Sequence, residues 1–587
     1  MKKSTKKLLA GAIAVTMALG TSAPAFAEDF TSPGNETITV NYSKGETFTV
    51  TIPKNITLSD GQNASFEVTA KGDIPSQSKL NIHPESNTFQ MTEGTDSVTA
   101  TIDEKATISL DRAALLDEGT TVSDIAIRTE KPLHSGNWTG TFNMIIEVTS
   151  DIVVRDEYFT WEETTVTGLT EEGELWLTEN DGNLIVPNKA TAIANAAFVS
   201  ADKGKQALYS VSKASESEPE PKYDAKLFQN LIIPEGVETI GNYAFYGCSY
   251  LTGDLIIPDT VTSVGISAFG NCNNLDGTLK LSENLETIDD RAFISCEKLT
   301  GDLVIPDSVT TLGTQAFAWC SGFKTLKLSN SLKSIGSSAF QKCTGLTGDL
   351  IIPEGVEEID TGAFTECTGI KGSLVLPSTL TTIGSRAFSD CSGISGNLTI
   401  PTNVDYIGDF AFSGCYRFTG DLNIPDSVSM LGMGAFKDCG GFNGTLKLPA
   451  NISSIKTQTF SNCLKLKGNL TIPSGVTTIG SDAFLGCRGL TGDINIPSKV
   501  GTIEDSAFYN CTGFNGTINL PSGLKSIGSM AFANCLNVSG DLEIPSSVIF
   551  IKSRAFENCS KLSSITYHSG TRVEKDTFQG CVEPTVI

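Results

Sequence analysis

Fifteen phenylalanines recur between Phe245 and Phe578, and a cysteine sits three residues after each, from Cys248 to Cys581. The chain contains no other cysteine. The step is 24 residues, except for 23 between Phe317 and Phe340 and 22 between Phe556 and Phe578. A unit this short cannot bury its apolar side alone, so a fixed step means one supersecondary unit copied along an axis and stacked on its neighbours. Most of the 587 residues are therefore expected to form a solenoid, a shape that grows by adding surface. That predicts binding before it predicts catalysis.

The rung from Leu251 to Cys272 shows how the pattern works. Leu255 and Ile257 alternate with Asp254 and Ile256, as a short strand requires, and Pro258 ends the strand because it offers no amide hydrogen. Val261 and Val264 turn the chain inward again, and Gly265 permits a tight turn. Ala268-Phe269-x-x-Cys272 is expected to form a brief helical or 3-10 segment with Phe269 and Cys272 on one face. Stacked rungs then place equivalent side chains in ladders. The structural ladder comprises Phe245, Cys248, Phe269, Cys272, Phe293, Cys296, Phe317, Cys320, Phe340 and Cys343, and it continues to Phe578 and Cys581. The 23-residue rung lacks the glycine before Thr325 that its neighbours carry, which assigns the missing residue to a turn.

This pattern, written Leu-Thr-Gly-Asp-Leu-Ile-Ile-Pro-Asp-Thr-Val-Thr-Ser-Val-Gly-Ile-Ser-Ala-Phe-Gly-Asn-Cys at 251–272, resembles the BspA-like leucine-rich repeat family. Its I-P, I-G and A-F-x-x-C elements carry the resemblance over 184–581. The resemblance implies a right-handed curved solenoid with a parallel sheet on its concave face, in bacterial surface proteins that bind other proteins or host matrix. The fold expected is mainly β with short helical or 3-10 segments, a β-sandwich preceding the solenoid.

The remaining sequence sets the domain organisation. Residues 1–27 have four lysines, an apolar run from Leu8 to Leu19 and Ala25-Phe26-Ala27, the form of a cleavable secretory leader. Its removal would move the net charge from −25 to −29, since it carries four lysines and no acid. Residues 28–150 alternate as half-buried strands and suggest a β-sandwich, immunoglobulin-like in topology. Residues 151–198 read as an N-terminal cap with a first imperfect repeat, 199–226 as a polar mobile insertion, and 227–587 as the solenoid of about 15 repeats with an irregular last rung. The product is expected to be secreted, extracellular or on the cell surface, with no membrane span in the mature chain.

Function classes narrow accordingly. No basic stripe supports nucleic-acid binding. Three histidines, His83, His134 and His568, lie far apart and build neither a triad nor a metal site, so the chain reads as no enzyme, with no cofactor and no metal. The cysteines, all on one ladder, read as buried free thiols and not as a disulfide framework. Aspartates head the strands at Asp254, Asp302, Asp349, Asp421, Asp493 and Asp541, never on adjacent rungs, which suggests avoidance of like charges. The outward strand position carries Ile232, Ile256, Lys280, Val304, Lys327, Ile351 and Val375, then turns polar from Thr399 to Glu543. Its apolar half is the candidate partner-binding face, for a protein or glycan of host matrix or envelope. A structural spacer attached through the sandwich is the alternative, a secreted hydrolase the third. The sequence sets no oligomeric state.

Overall fold

A computed structural model describes residues 154–201 and 219–587 throughout; before 154 it describes only the backbone of the strands. The chain divides into two compact units, residues 1–158 with 172–183, and residues 159–171 with 184–587.

In the first unit most strands between Asn35 and Ser150 pair antiparallel with one another, for example Asn35–Asn41 with Thr47–Pro53 and Thr88–Glu93 with Asp96–Ile102, while Asn55–Thr57 lies parallel to Ile13–Gly20. Ile13–Gly20, inside the span read as a leader, pairs antiparallel with Thr139–Ser150. How these strands layer, and with it the sandwich and its topology, lies outside the described residues. The helix Glu171–Glu179 also falls mostly in this unit, with Trp176 stacked on Tyr158.

The second unit is a solenoid of stacked coils with three backbone ladders. Each regular rung has a first strand, such as Leu255–Ile256, and a second strand, such as Ser263–Val264. The second strands form parallel sheets running from Thr165–Leu169 to Thr311–Leu312, from Ser334–Ile335 to Met430–Leu431, and from Ser454–Ile455 to Arg572–Val573. The first strands close only in local groups, such as Leu255–Ile256 with Leu279–Lys280 and Leu350–Ile351 with Leu374–Val375. Sequence reading placed one sheet on the first strand and took Val261 to Val264 for a turn, so it named the less continuous ladder. A strand of two residues, one of them inward, is too short for its alternation to show.

The third ladder replaces the helical or 3-10 segment expected at A-F-x-x-C. In the rung 265–272, the amides of Ala268, Gly270 and Cys272 donate to Gly265, Ser267 and Phe269 within the rung. Those of Ser267, Phe269 and Asn271 donate instead to Asp290, Ala292 and Ile294 of the next rung. Ser267 and Asn271 have φ of 50° and 61°, so a right-handed helix cannot propagate through them. The alternation satisfies every second amide locally and the others across rungs, which is how a buried turn avoids orphaned donors.

The aromatic spine is continuous. From Phe198 to Phe578 successive rings stand 5.1–5.9 Å apart with planes within 14° of parallel. These are offset stacks, favoured by the ring quadrupole over face-to-face contact. Beside them, fourteen of the cysteines are buried and unpaired, and Cys581 is half-buried. Each thiol donates to the carbonyl of the phenylalanine one rung earlier, as Cys272 does to Phe245 at 3.3 Å and Cys391 to Phe364 at 2.9 Å. The same carbonyls accept an amide within their own rung. A methyl group would fill much of the slot but leave that second lone pair empty.

An antiparallel hairpin closes one end and a parallel strand pair the other. Phe159–Glu162 pairs antiparallel with Thr165–Leu169, which lies parallel beside Ala192–Ile193 at the head of the second-strand ladder. At the other end Thr585–Val586 lies along Lys561–Tyr567. The expected insertion is also shorter than 199–226. Ser200–Ala201 pairs with Tyr223–Asp224, and Tyr223 is buried, its ring edge-on to Phe228 and its hydroxyl accepting the Leu169 amide.

Candidate partner-binding face

The first strand of each rung points alternate side chains outward, so residues such as Asp254 and Ile256 share one face while Leu255 and Ile257 enter the core. Pairing sets the register across rungs: Ile256 lies beside Lys280, Val304 beside Lys327, and Ile351 beside Val375. Ile256, Val304, Ile351 and Val375 are 45, 43, 60 and 46% exposed, so the outward row brings four aliphatic side chains to solvent. Lys280 and Lys327 are exposed between them. Ile232, on the strand Asn230–Ile232, is half-buried and contributes less to this row than its position suggested. The phenylalanines and cysteines from Phe245 to Cys343 are in the core, where the ladder reading put them.

The strand-heading aspartates also hold partners on the next rung. Asp254 Oδ1 accepts from the amide and hydroxyl of Thr278 on the next rung, at 2.6 and 2.8 Å. Asp349 does the same with Ser373, Asp421 with Thr445 and Asp493 with Thr517. Aspartate therefore alternates with a hydroxyl residue because each carboxylate caps a donor one rung on. Those are also the rung pairs whose first strands close into sheet. The amide and then the hydroxyl of the partner hold Asp349 and Asp421 below the usual carboxylate range. The capping rung needs glycine for room: a Cβ at Gly372 would stand 2.3 Å from Asp349 Oδ1. Where that glycine is missing, at Phe323–Lys327, the turn becomes extended strand with a bulge against Gly301–Val304.

Beyond the proline a second carboxylate row borders the aliphatic one. Asp259 accepts from the amide of Glu283, Asp307 from Asn330 and Glu354 from Ser378. Lys280 reaches Asp259 at 3.9 Å, and Lys447 reaches Asp426 at 3.2 Å. Asp307 is held below its ordinary value by the Asn330 amide and side chain, with a smaller contribution from Lys327. Exposed pairs of this kind add little stability, about 0–1 kcal/mol, so the row is better understood as a surface than as a staple.

Nothing on this face assembles chemistry. Among the described residues there is no group of three or more histidine, cysteine, aspartate or glutamate side chains placed to hold a metal. His568 lies in the last rung, while the side chains of His83 and His134 fall outside the described residues. Burial raises the thiols of Cys248, Cys296, Cys343 and Cys535 to about 12, and so removes them from nucleophilic use at neutral pH. No described helix is long and apolar enough to cross a membrane.

Comparison with known proteins adds the following. The model of the BspA type leucine rich repeat region (6 copies) matches in overlapping stretches, 222–347, 299–415, 371–491 and 487–585. No curated protein matches. Among solved structures, a leucine rich cell surface protein of Faecalibacterium prausnitzii is 26% identical over 62% of this chain and 93% of its own, with a TM-score of 0.39. A leucine-rich repeat protein of Eubacterium ventriosum is 20% identical over 68% and 94%, with a TM-score of 0.36. The pneumococcal vaccine antigen PcpA is 18% identical over 72% and 97%, with a TM-score of 0.33.

Proposed function

Because the chain belongs to the BspA-type leucine-rich repeat family, we propose that it is a secreted, surface-displayed interaction protein that holds a protein partner non-covalently on the first-strand face between Ile256 and Val375. The observation that carries the reading is the exposure of Ile256, Val304, Ile351 and Val375 on one sheet face, where aliphatic side chains lose more by hydration than polar ones would. The same row turns to threonine, asparagine and lysine after Val375, so β-propensity alone does not account for it. A glycan partner is less well served, since no exposed aromatic interrupts the row. Rigid stacking of the coils would present the face without reordering, which lowers the entropic cost of association.

The test uses the full chain against a panel of purified matrix and envelope proteins on a biosensor surface. Ile256→Ser, Val304→Ser and Ile351→Ser together are expected to abolish the specific capture found with the native chain while the far-ultraviolet circular dichroism stays unchanged. Undiminished capture by the triple variant removes the face from the reading. Self-assembly of the chain without capture of any partner would favour the structural spacer instead.

A further inference from the structure

The aliphatic row and the carboxylate row coincide along the chain. After the first-strand proline, or the serine that replaces it at Ser282 and Ser329, a carboxylate stands at Glu235, Asp259, Glu283, Asp307 and Glu354, interrupted only by Asn330. Of the eight rungs that follow, Asp426 alone carries one. The carboxylates stop between Glu354 and Ser378, one rung before the outward row turns from aliphatic to polar between Val375 and Thr399. All five except the half-buried Asp259 are exposed. On the other side of the aliphatic row the strand-heading Asp254, Asp302 and Asp349 add negative charge of their own.

Adjacent rungs of a parallel sheet lie about 4.8 Å apart, so this post-proline rail sets like charges side by side over a short distance. Their mutual repulsion is a cost to the isolated chain. Lys280 and Lys327, the lysines of the outward row in this half, leave most of it uncompensated. We propose that the partner segment is itself amphipathic and basic, with aliphatic side chains for the row Ile256 to Val375 and lysine or arginine for the carboxylate rail beside it. This refines the proposed function and rests on it. Opposite charge lined up along an apolar contact fixes the register of the partner and speeds its approach more than it adds raw affinity. A partner that is acidic or neutral at its rim would leave the rail facing nothing, or repelled.

The experiment measures binding of a labelled synthetic peptide that alternates leucine and lysine to the full chain by fluorescence anisotropy. A twin peptide carrying glutamate in place of every lysine is run in parallel. The basic peptide should bind saturably, and the acidic twin should not. Asp259→Asn, Asp307→Asn and Glu354→Gln together should weaken binding about tenfold, the sum of three rim pairs of roughly 0.5 kcal/mol each. Added salt should weaken the native chain more than this variant. Asp421→Asn with Asp426→Asn, in the polar half, should leave affinity unchanged. The proposal is overturned if the basic peptide fails to bind, if the acidic twin binds as well, or if the polar-half variant weakens binding as much as the rail variant. Binding that is lost in the Ile256, Val304 and Ile351 serine variant but intact in the rail variant overturns the charge argument and leaves the docking face standing. Binding intact in both ends the two readings together.

Discussion

Raising the pH should unfold this solenoid through its thiols. Cys248, Cys296, Cys343 and Cys535 are fully buried and stand at about 12, against an ordinary value of 9.0, because burial disfavours the thiolate. The native chain therefore holds these protons more tightly than the unfolded chain does. Their stabilisation is complete below the unfolded value and is lost as pH rises from there toward the folded value. Above about pH 9 each thiol subtracts about 1.4 kcal/mol per pH unit, so the four subtract about 5 kcal/mol per unit. By about pH 10 the loss is about 6 kcal/mol, comparable with the whole stability of many domains, about 5–15 kcal/mol. The assay is urea unfolding followed by far-ultraviolet circular dichroism under reducing conditions. It would compare the native chain with the variant carrying Cys248→Ala, Cys296→Ala, Cys343→Ala and Cys535→Ala. The variant should start less stable at neutral pH, having lost four thiol-to-carbonyl hydrogen bonds, yet lose stability less steeply between about pH 9 and about pH 10.5. The two proteins differ only at these four positions, so the difference in slope isolates the thiols. Parallel slopes would refute the reasoning.

Thiol reagents offer a second check. Cys581 is the one half-exposed cysteine, and its hydrogen bond with the Cys559 thiol holds it below its ordinary value. One fast-reacting thiol is expected in the native chain and none in the Cys581→Ser variant; simultaneous reaction of many would show that the ladder breathes. Phe364→Ala, in mid-spine and fully buried, should cost about 3–5 kcal/mol by urea unfolding. Phe578→Ala, half-buried in the last rung, should cost less, and an equal cost would contradict a spine whose end is partly in water. Gly372→Ala should destabilise, since its Cβ would meet Asp349 Oδ1 at 2.3 Å, whereas Gly501→Ala, with nothing within 4 Å, should stabilise by about 0.4–1 kcal/mol. Equal melting temperatures for the two variants would remove the steric argument.

The recurrence of phenylalanine and cysteine at one step determined the stacked coil, its aromatic spine and the burial of its thiols. Repetition leaves few ways to place an apolar residue that must be inside in every copy. It also showed which strand positions face outward, because Pro258 and its equivalents mark the strand end and alternation does the rest. Tertiary structure alone decided what depends on the neighbouring rung. The hydrogen bond from Cys272 to Phe245, the capping of Thr278 by Asp254 and the amide ladder of the A-F-x-x-C turn all join residues more than 20 positions apart. A pattern read along one rung carries no trace of them. The carboxylate rail is intermediate: Glu235, Asp259, Glu283, Asp307 and Glu354 stand in plain sequence, but they become one surface only when the coils are laid side by side. Periodicity fixes what lies inside each coil, and contact between coils fixes what the surface presents.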